Sequence, residues 1–520
     1  MSVTTAAPAR ATRREWIGLA VLALPCMLYS MDLTVLNLAL PHLSADLKPG
    51  AAQLLWIVDI YGFLVAGFLI TMGTLGDRIG RRRLLLIGAA AFGAASVFAA
   101  FSTSAEMLIV ARALLGVAGA TLAPSTLSLI RNMFQDPGQL TAAIGVWITS
   151  YSVGAAIGPL VGGILLQYFW WGSVFLVGVP VMLLLLVLGP VLLPEYRDPK
   201  AGRLDLASAG LSLVAVLAVI YGLKHIAEDG FDWLPVLAIV AGLAIGWAFV
   251  RRQRRLRDPL IDLRLLRSPA FSAALATNLL GVLVAFGSFI FMAQYLQLVL
   301  GLAPLEAGLW TVPSSVGFII GSMSAPLIVR RIAKPTVLVV GLLVAAVGFG
   351  LLTQVGGPAD LAVLVTGSVI MSIGLAPVFT LTTDLIVGAA PPERAGSAAA
   401  ISESSAEFGG ALGIAILGSI GAALYRSVMV DAVPEGIPAA AGAAARDTLG
   451  GAVGVAEDLA GPVGHALLDA ARSAFTDAFV LVALISAAVA VATATMVAVL
   501  LRRPPGESRQ LDPEPVAERP

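Results

Sequence analysis

Charge is scarce in this chain. Only 12% of its 520 residues are Asp, Glu, Lys or Arg, about half the share of a soluble globular domain. Hydrophobic residues make up 58%, so there is too little polar surface to clothe a water-soluble fold of this length. Net charge is also absent: the formal value is zero. No global basic field exists to attract nucleic acid, and no such partner is expected. Cysteine is reduced to Cys26, which excludes an intrachain disulfide and reads as a small packing residue in the first apolar run. The three histidines, His42, His225 and His465, stand far apart. They show no metal-ligand spacing, so neither a metal nor a zinc or haem enzyme is expected. A glycine-rich phosphate loop of the Walker type is missing too, and ATP is not expected to be used. Nothing resembling a nucleophile with its acid and base falls in the apolar segments, and the chain does not read as an enzyme.

Long apolar runs are what the chain has in abundance. A helix needs about 20 mainly apolar residues to cross the hydrocarbon layer. Such runs predict spans near 16–40, 53–73, 84–101, 106–130, 142–167, 173–193, 205–223, 233–250, 271–298, 306–329, 336–354, 361–388, 397–424 and 476–501. Arg10, Arg13 and Arg14 precede the first run, but no small-residue cleavage site ends it. It therefore reads as a retained span rather than a signal peptide. Basic residues set the orientation. Of the 32 Lys and Arg, Lys48, Lys224, Arg426, Arg446 and Arg472 fall on one side and Arg112 inside a span. All the others share the side of the N-terminus. Cytoplasmic segments collect Lys and Arg, so both termini are expected in the cytoplasm.

The sequence repeats weakly. GTLGDRIGRRR at 73–83 closes span two, and APLIVRRIAK at 325–334 closes span ten as a degraded counterpart. An offset of eight spans fits two six-helix halves separated by two extra helices, and transporters are commonly built from such repeats. The expected layout is an N-terminal segment 1–15, a first six-helix bundle 16–193, and two extra helices with a basic loop, 194–270. A second bundle follows over 271–501, then a disordered tail 502–520. The loop near 251–270 carries seven arginines and reads as a topology anchor. The outward loop 425–475 is rich in Ala and Gly and broken by Pro434, Pro438 and Pro462. Within it, 447–459 and 463–475 are expected as short surface helices.

Ionisable groups inside spans cost roughly 2.5–3.5 kcal/mol each on insertion scales and are usually functional. Five acids qualify, Asp32, Asp59, Asp384, Glu403 and Glu407, with one base, Arg112. At about 1.5 Å per residue, Asp32, Asp59 and Arg112 share one layer in the outer half of the first bundle. An ion-pair network among the three is expected there, with protonation of Asp32 releasing Arg112. Glu403 and Glu407 lie at i and i+4 on one face of span thirteen, Glu407 deeper. Asp384 lies near the cytoplasmic end of span twelve and reads equally as an interfacial residue that reaches water. Aromatic residues accompany these charges: Tyr29, Tyr61, Trp147, Tyr151, Phe286 and Trp310 are candidate contacts for an organic cation. Cations bind well to aromatic faces beside a carboxylate, although each ring alone also serves as packing.

The stretch at 73–83 resembles the loop 2–3 signature of the major facilitator superfamily, G-x-L-x-D-R-x-G-R-R. Gly73, Leu75, Asp77, Arg78, Gly80, Arg81 and Arg82 match it. Arg112 followed by Gly116 and Gly119 looks like the buried arginine motif of that superfamily. Gly145, Gly154, Gly158, Pro159, Gly162 and Gly163 look like its antiporter motif. Gly154, Gly158 and Gly162 would form a smooth stripe against a neighbouring helix, with Pro159 bending the span. MDLTVLNLALP at 31–41, LWIVDIY at 55–61 and AAAISESSAEFGGALG at 398–413 are similar to the fourteen-span drug:proton antiporters that export quaternary ammonium compounds and other drugs. Ser402 stands where some of those relatives carry a second acid. The resemblance spans essentially the whole chain. It implies an all-α polytopic membrane protein of the major facilitator fold, two six-helix bundles plus two extra helices. It implies proton-coupled efflux of lipophilic, cationic drugs by alternating access, with Asp77 and the neighbouring arginines latching one conformation. It further implies small-molecule cations, protons and membrane lipids as partners, no cofactor beyond the proton gradient, a functional monomer, and a bacterial cell membrane. A lipid, a metabolite or a self-made antibiotic is the alternative cargo.

Overall fold

The computed structural model describes residues 10–49, 51–197, 205–229, 232–256, 259–356, 360–434, 437–459 and 461–501. The tail expected at 502–520 lies outside the described residues, as do most of the N-terminal segment and Arg257 of the basic loop. Among the described residues the regular structure is entirely helical. The first bundle holds α1 (Arg13–Leu47), α2 (Ala51–Ile79), α3 (Arg81–Ala100), α4 (Ala105–Gly119), α5 (Leu122–Met133), α6 (Pro137–Tyr168), α7 (Ser173–Leu176) and α8 (Gly178–Leu192). A hairpin of α9 (Leu206–Asp229) and α10 (Trp233–Gln253) follows. The second bundle holds α11 (Pro269–Gln294), α12 (Pro304–Ile328), α13 (Lys334–Leu352), α14 (Leu361–Gly388), α15 (Ala395–Ala432), α16 (Ala439–Asp447), α17 (Leu449–Asp458) and α18 (Pro462–Leu501).

Among the described residues fourteen segments are long and apolar enough to cross a membrane. Two are composite. α4 and α5 form one span broken near Thr121, whose hydroxyl donates to the Ala118 carbonyl at 2.7 Å, and Pro124 brings no N–H to the next turn. α7 and α8 form the other. Successive spans alternate in direction. The arginine-bearing ends at Arg13, at 80–83, at Arg131 and at Arg251 therefore fall on one side, here termed the basic end; the opposite side is the distal end.

Between membrane helices the hydrophobic effect gives little, and close packing of small residues takes over. α13 and α14 touch backbone to backbone: a Cβ on Gly348 would lie 2.4 Å from the Met371 nitrogen. α11 and α15 do likewise, for a Cβ on Gly413 would lie 2.2 Å from the Leu283 carbonyl oxygen. One apolar core fills α1–α8, and a second runs from α11 to α18. Val387, Ala395 and Ala399 of the second half join the first core, so the bundles meet at the basic end. The α9–α10 hairpin lies across the seam between them. Val216 and Ile220 of α9 pack with Phe63 and Ala66 of α2, while Val219 and Leu223 pack with Ala415 of α15.

The loop expected to face outward differs from expectation. Segment 463–475 is no separate surface helix: α18 starts at Pro462 and continues unbroken to Leu501. Gly461, at φ +84°, turns the chain, and Pro462 suits the first helical turn. α15 likewise runs on to Ala432. Both extensions exist because α16 and α17 cover them. Tyr425 donates to the Ala445 carbonyl at 2.9 Å, and Leu467 and Ala471 are buried in one cluster with Leu449 and Ala452. Arg472 closes the corner by donating to the Leu298 carbonyl at 3.1 Å.

Candidate functional site

α4 starts cleanly because Ser104 caps it, accepting from the Met107 N–H. That start points Arg112 at α1 and α2. Its Nη1 donates to Asp32 Oδ2 at 2.6 Å and its Nε to the Ile57 carbonyl at 3.1 Å. The guanidinium stands 4.5 Å from the centre of the Tyr61 ring. Gly116 and Gly119 permit this approach, for a Cβ on Gly116 would lie 2.6 Å from the Tyr61 carbonyl oxygen. Arg112 is fully buried. Two donors in this cluster remain without a partner among the described residues, Arg112 Nη2 and the Tyr61 hydroxyl. A charge pair with spare buried donors is unusual, and no residue pattern announces it.

Asp59 does not join this network, contrary to the expectation from depth. Ile57 and Tyr61 face α4, and a residue two positions along a helix projects about 200° away. Asp59 therefore points to the other side of α2 and pairs with Lys224 of α9. Lys224, expected in an outer loop, lies within a candidate span.

Four of the six candidate aromatic residues come together. Tyr29 lies 5.8 Å from Tyr61 and 6.0 Å from Tyr151, and Tyr151 lies 5.0 Å from Trp147, centre to centre. Trp147 is anchored by donating Nε1–H to Thr126 Oγ1 at 3.0 Å, a residue not singled out from sequence. Phe286 and Trp310 stay apart from the cluster, 57% and 39% exposed. They project from α11 and α12, whereas the cluster is built on α1, α2 and α6.

The Tyr29 hydroxyl carries the cluster across to the second bundle, donating to Glu407 Oε1 at 2.9 Å. Glu403, one turn before it on α15, has no hydrogen-bond or ion-pair partner among the described residues. Asp384 is not the water-reaching residue that its position near a span end suggests. It is buried, accepting from Lys334 Nζ at 2.6 Å and from the Thr141 hydroxyl of α6 at 2.9 Å. Burial follows because α6 covers that end of α14.

The signature at 73–83 sits where the bundles touch. Arg81 donates Nε and Nη2 to Asp77 Oδ1 at 2.9 and 2.7 Å, and Nη2 also reaches the Pro392 carbonyl at 2.9 Å. Asp77 in turn accepts from the backbone N–H groups of Gly396 and Ser397 in the first turn of α15, at 3.2 and 3.0 Å. Unpaired N–H groups at a helix start favour an anion there. Gly73 is a contact glycine, since a Cβ would stand 2.5 Å from the Ala400 side chain. Gly80 takes φ +110° in the turn between α2 and α3, with the Glu195 carboxylate against it. Arg78 donates to the Thr74 carbonyl at 3.2 Å. Ser322 of α12 adds another link between the bundles, donating to the Gly145 carbonyl of α6 at 3.1 Å. The basic end is sealed.

The α6 glycines divide. A Cβ on Gly154 would lie 2.0 Å from the Met27 carbonyl oxygen, so α1 and α6 cross in direct backbone contact. Gly158 and Gly162 are buried further along α6. Gly163, the last residue of the motif, is exposed, with open space where a side chain would be. Pro159 lies inside α6, and its side chain is outside what is described. Among the described residues no three of His, Cys, Asp and Glu converge as metal ligands would.

The chain has relatives among known proteins. Residues 22–414 match the profile of the Major Facilitator Superfamily. The chain is similar to the multidrug efflux pump LfrA of Mycolicibacterium smegmatis, 44% identical over 499 residues that cover 96% of this chain and 99% of LfrA. It is also similar to the methyl viologen resistance protein SmvA of Salmonella typhimurium, 35% identical over 89% of this chain and 93% of that one. Among solved structures, the human organic anion transporter MFSD10 (TETRAN) shares the fold with a TM-score of 0.58 at 16% identity, over 92% of this chain and 99% of MFSD10. The chain belongs to the Major Facilitator Superfamily.

Proposed function

We propose that this protein exports lipophilic, cationic drugs in exchange for protons, by alternating access between its two bundles. The observation that carries this reading is the pairing of half-buried Asp32 with fully buried Arg112 beneath a connected run of aromatic rings. An organic cation needs a carboxylate and ring faces, and Asp32 with Tyr29, Tyr61 and Tyr151 offers both. Arg112 is the internal rival for the same carboxylate. A proton arriving on Asp32 frees Arg112, and a cargo cation competes with both.

Near full-length similarity to a multidrug efflux pump and to a methyl viologen resistance protein supports the same reading. The basic end is assigned to the cytoplasm of a bacterial cell, since cytoplasmic segments gather Lys and Arg. With that end sealed, the present conformation is closed to the cytoplasm. Tyr29 and Glu407 report the position of one bundle to the other, and Glu403 lies beside them as a further proton carrier. The membrane potential supplies about 2.3 kcal/mol per net charge moved per 100 mV, so it adds to the pH gradient when more protons enter than cargo charges leave, and no ATP is needed. One chain suffices as the working unit, and substrates leave chemically unchanged.

The reading is tested in vesicles reconstituted with the purified protein and loaded with a cationic dye. An imposed pH gradient should speed dye movement severalfold over vesicles at equal pH, and an ionophore that collapses the gradient should abolish the difference. Equal rates with and without the gradient would remove proton coupling.

A further inference from the structure

Asp59 and Phe63 lie one turn apart on the face of α2 turned away from Arg112. Together they offer a carboxylate beside an aromatic face, and Trp56 meets Phe63 edge-on at 6.3 Å. The pair is occupied. Lys224 Nζ, from α9, binds Asp59 Oδ1 and stands 5.2 Å from the centre of the Phe63 ring. This is the geometry by which ammonium ions are held in general, filled here by a lysine of the chain itself. The site is open enough to exchange its occupant, for the side chains of Lys224 and Asp59 are 32% and 14% exposed.

A purely structural role explains the lysine poorly. α9 is already held to α2 by Val216 and Ile220 against Phe63 and Ala66, and to α15 by Val219 and Leu223 against Ala415. A partly exposed ion pair adds little to such packing, and Lys224, two residues from the end of its span at Ile226, turns to Asp59 although the distal interface is within its reach. An apolar residue would serve adhesion better.

We infer that Lys224 is a tethered cation occupying a second cation site made by Asp59, Phe63 and Trp56, and that it thereby sets how many positive charges a cargo can bring. With the lysine in place, one cargo charge is accepted at the Asp32 layer and a second finds its carboxylate taken. This inference rests on the proposed export of cations.

The test compares a bis-quaternary compound, decamethonium, with a mono-quaternary one of equal chain length, decyltrimethylammonium. Binding and vesicle export are measured for the full-length wild type, Lys224→Gln, Lys224→Arg and the double variant Lys224→Gln/Asp59→Asn. The ratio of bis to mono affinity should rise roughly tenfold in Lys224→Gln, the scale of one desolvated cation–aromatic contact. It should stay at the wild-type value in Lys224→Arg and return to it in the double variant. Should Lys224→Gln fail to fold, Lys224→Met keeps the stem packed against Phe63 and reads the same ratio. An unchanged ratio in the folded variant overturns the inference, as does a gain that survives loss of Asp59. If the wild type neither binds nor moves the mono-quaternary compound, the export reading itself falls, and the inference with it.

Discussion

The partly buried acids around the aromatic cluster are held in opposite ways by the two bundles. In the first, Asp32 is met by a countercharge from its own bundle, Arg112, which the Ile57 carbonyl and the Tyr61 ring hold in place. In the second, Glu407 is met by a tyrosine hydroxyl from the other bundle, and Glu403 by no described partner. The first arrangement survives any rigid movement of one half against the other. The second does not, because sliding α1 past α15 breaks the Tyr29–Glu407 bond. One is a charge site that belongs to a single rigid body; the other is a sensor that belongs to the seam.

Breaking the internal pair should have the largest effect. Arg112→Ala leaves half-buried Asp32 without its partner, with the roughly 3–5 kcal/mol lost from a fully buried pair as the upper bound. The expected outcome is loss of export together with a much lower melting temperature in detergent. Arg112→Lys keeps the charge but not the forked reach to Asp32 and Ile57, and should recover stability better than transport.

Next comes the seal at the basic end. Gly73→Val would drive a branched side chain into Ala400 and the Gly396 carbonyl, which lie only 2.5 and 2.6 Å from where its Cβ would stand. It should shift the population away from the sealed form. Spin labels on α2 and α15 near this contact would report a longer mean distance than in the parent chain, and an unchanged distance would deny Gly73 its part in the seal. Cys26 is the single cysteine and is buried, so a labelling background is simple to prepare.

Tyr29→Phe sharpens the comparison with a smaller change. It removes one hydrogen bond across the seam, worth about 0.5–1.5 kcal/mol. Export should slow severalfold while thermal stability barely moves. A stability loss as large as that of Arg112→Ala would mean that the seam bond is structural.

Asp205→Asn should do least. Hydrogen bonds from Arg252 and Ser208 hold the Asp205 carboxyl down at about 2, below its ordinary value near 3.8. A depressed carboxyl contributes stability that is fully present above the ordinary value and is lost as pH falls through the lowered one. Between about pH 5 and 8 the contribution is constant, so the variant should leave the pH profile of export unchanged.

Much of this architecture is legible in the residues. Apolar length alone locates fourteen spans, because the hydrocarbon layer fixes how long a crossing helix must be. Equal depth brings Asp32 and Arg112 together, and the Gly and Asp spacing at 73–83 marks the contact with α15. The same depth argument misplaces Asp59, since depth gives height along a helix and not direction around it. Asp384 reads as half in water because its cover, Thr141, comes from a helix far away in sequence. The length of α18 depends on α17 lying against it, and the Tyr29–Glu407 bond on how two bundles dock. Each of these is a tertiary fact that no local pattern carries.

The role given to Asp32 is tested most directly by Asp32→Asn in vesicles, with two rates measured on one preparation. The first is dye accumulation driven by a pH gradient; the second is exchange of labelled for unlabelled dye at equal pH. The expected result is loss of gradient-driven accumulation with slow residual exchange, since cargo without that carboxylate is held by the aromatic cluster alone and no proton is traded for it. Gradient-driven accumulation at the wild-type rate would contradict the assignment.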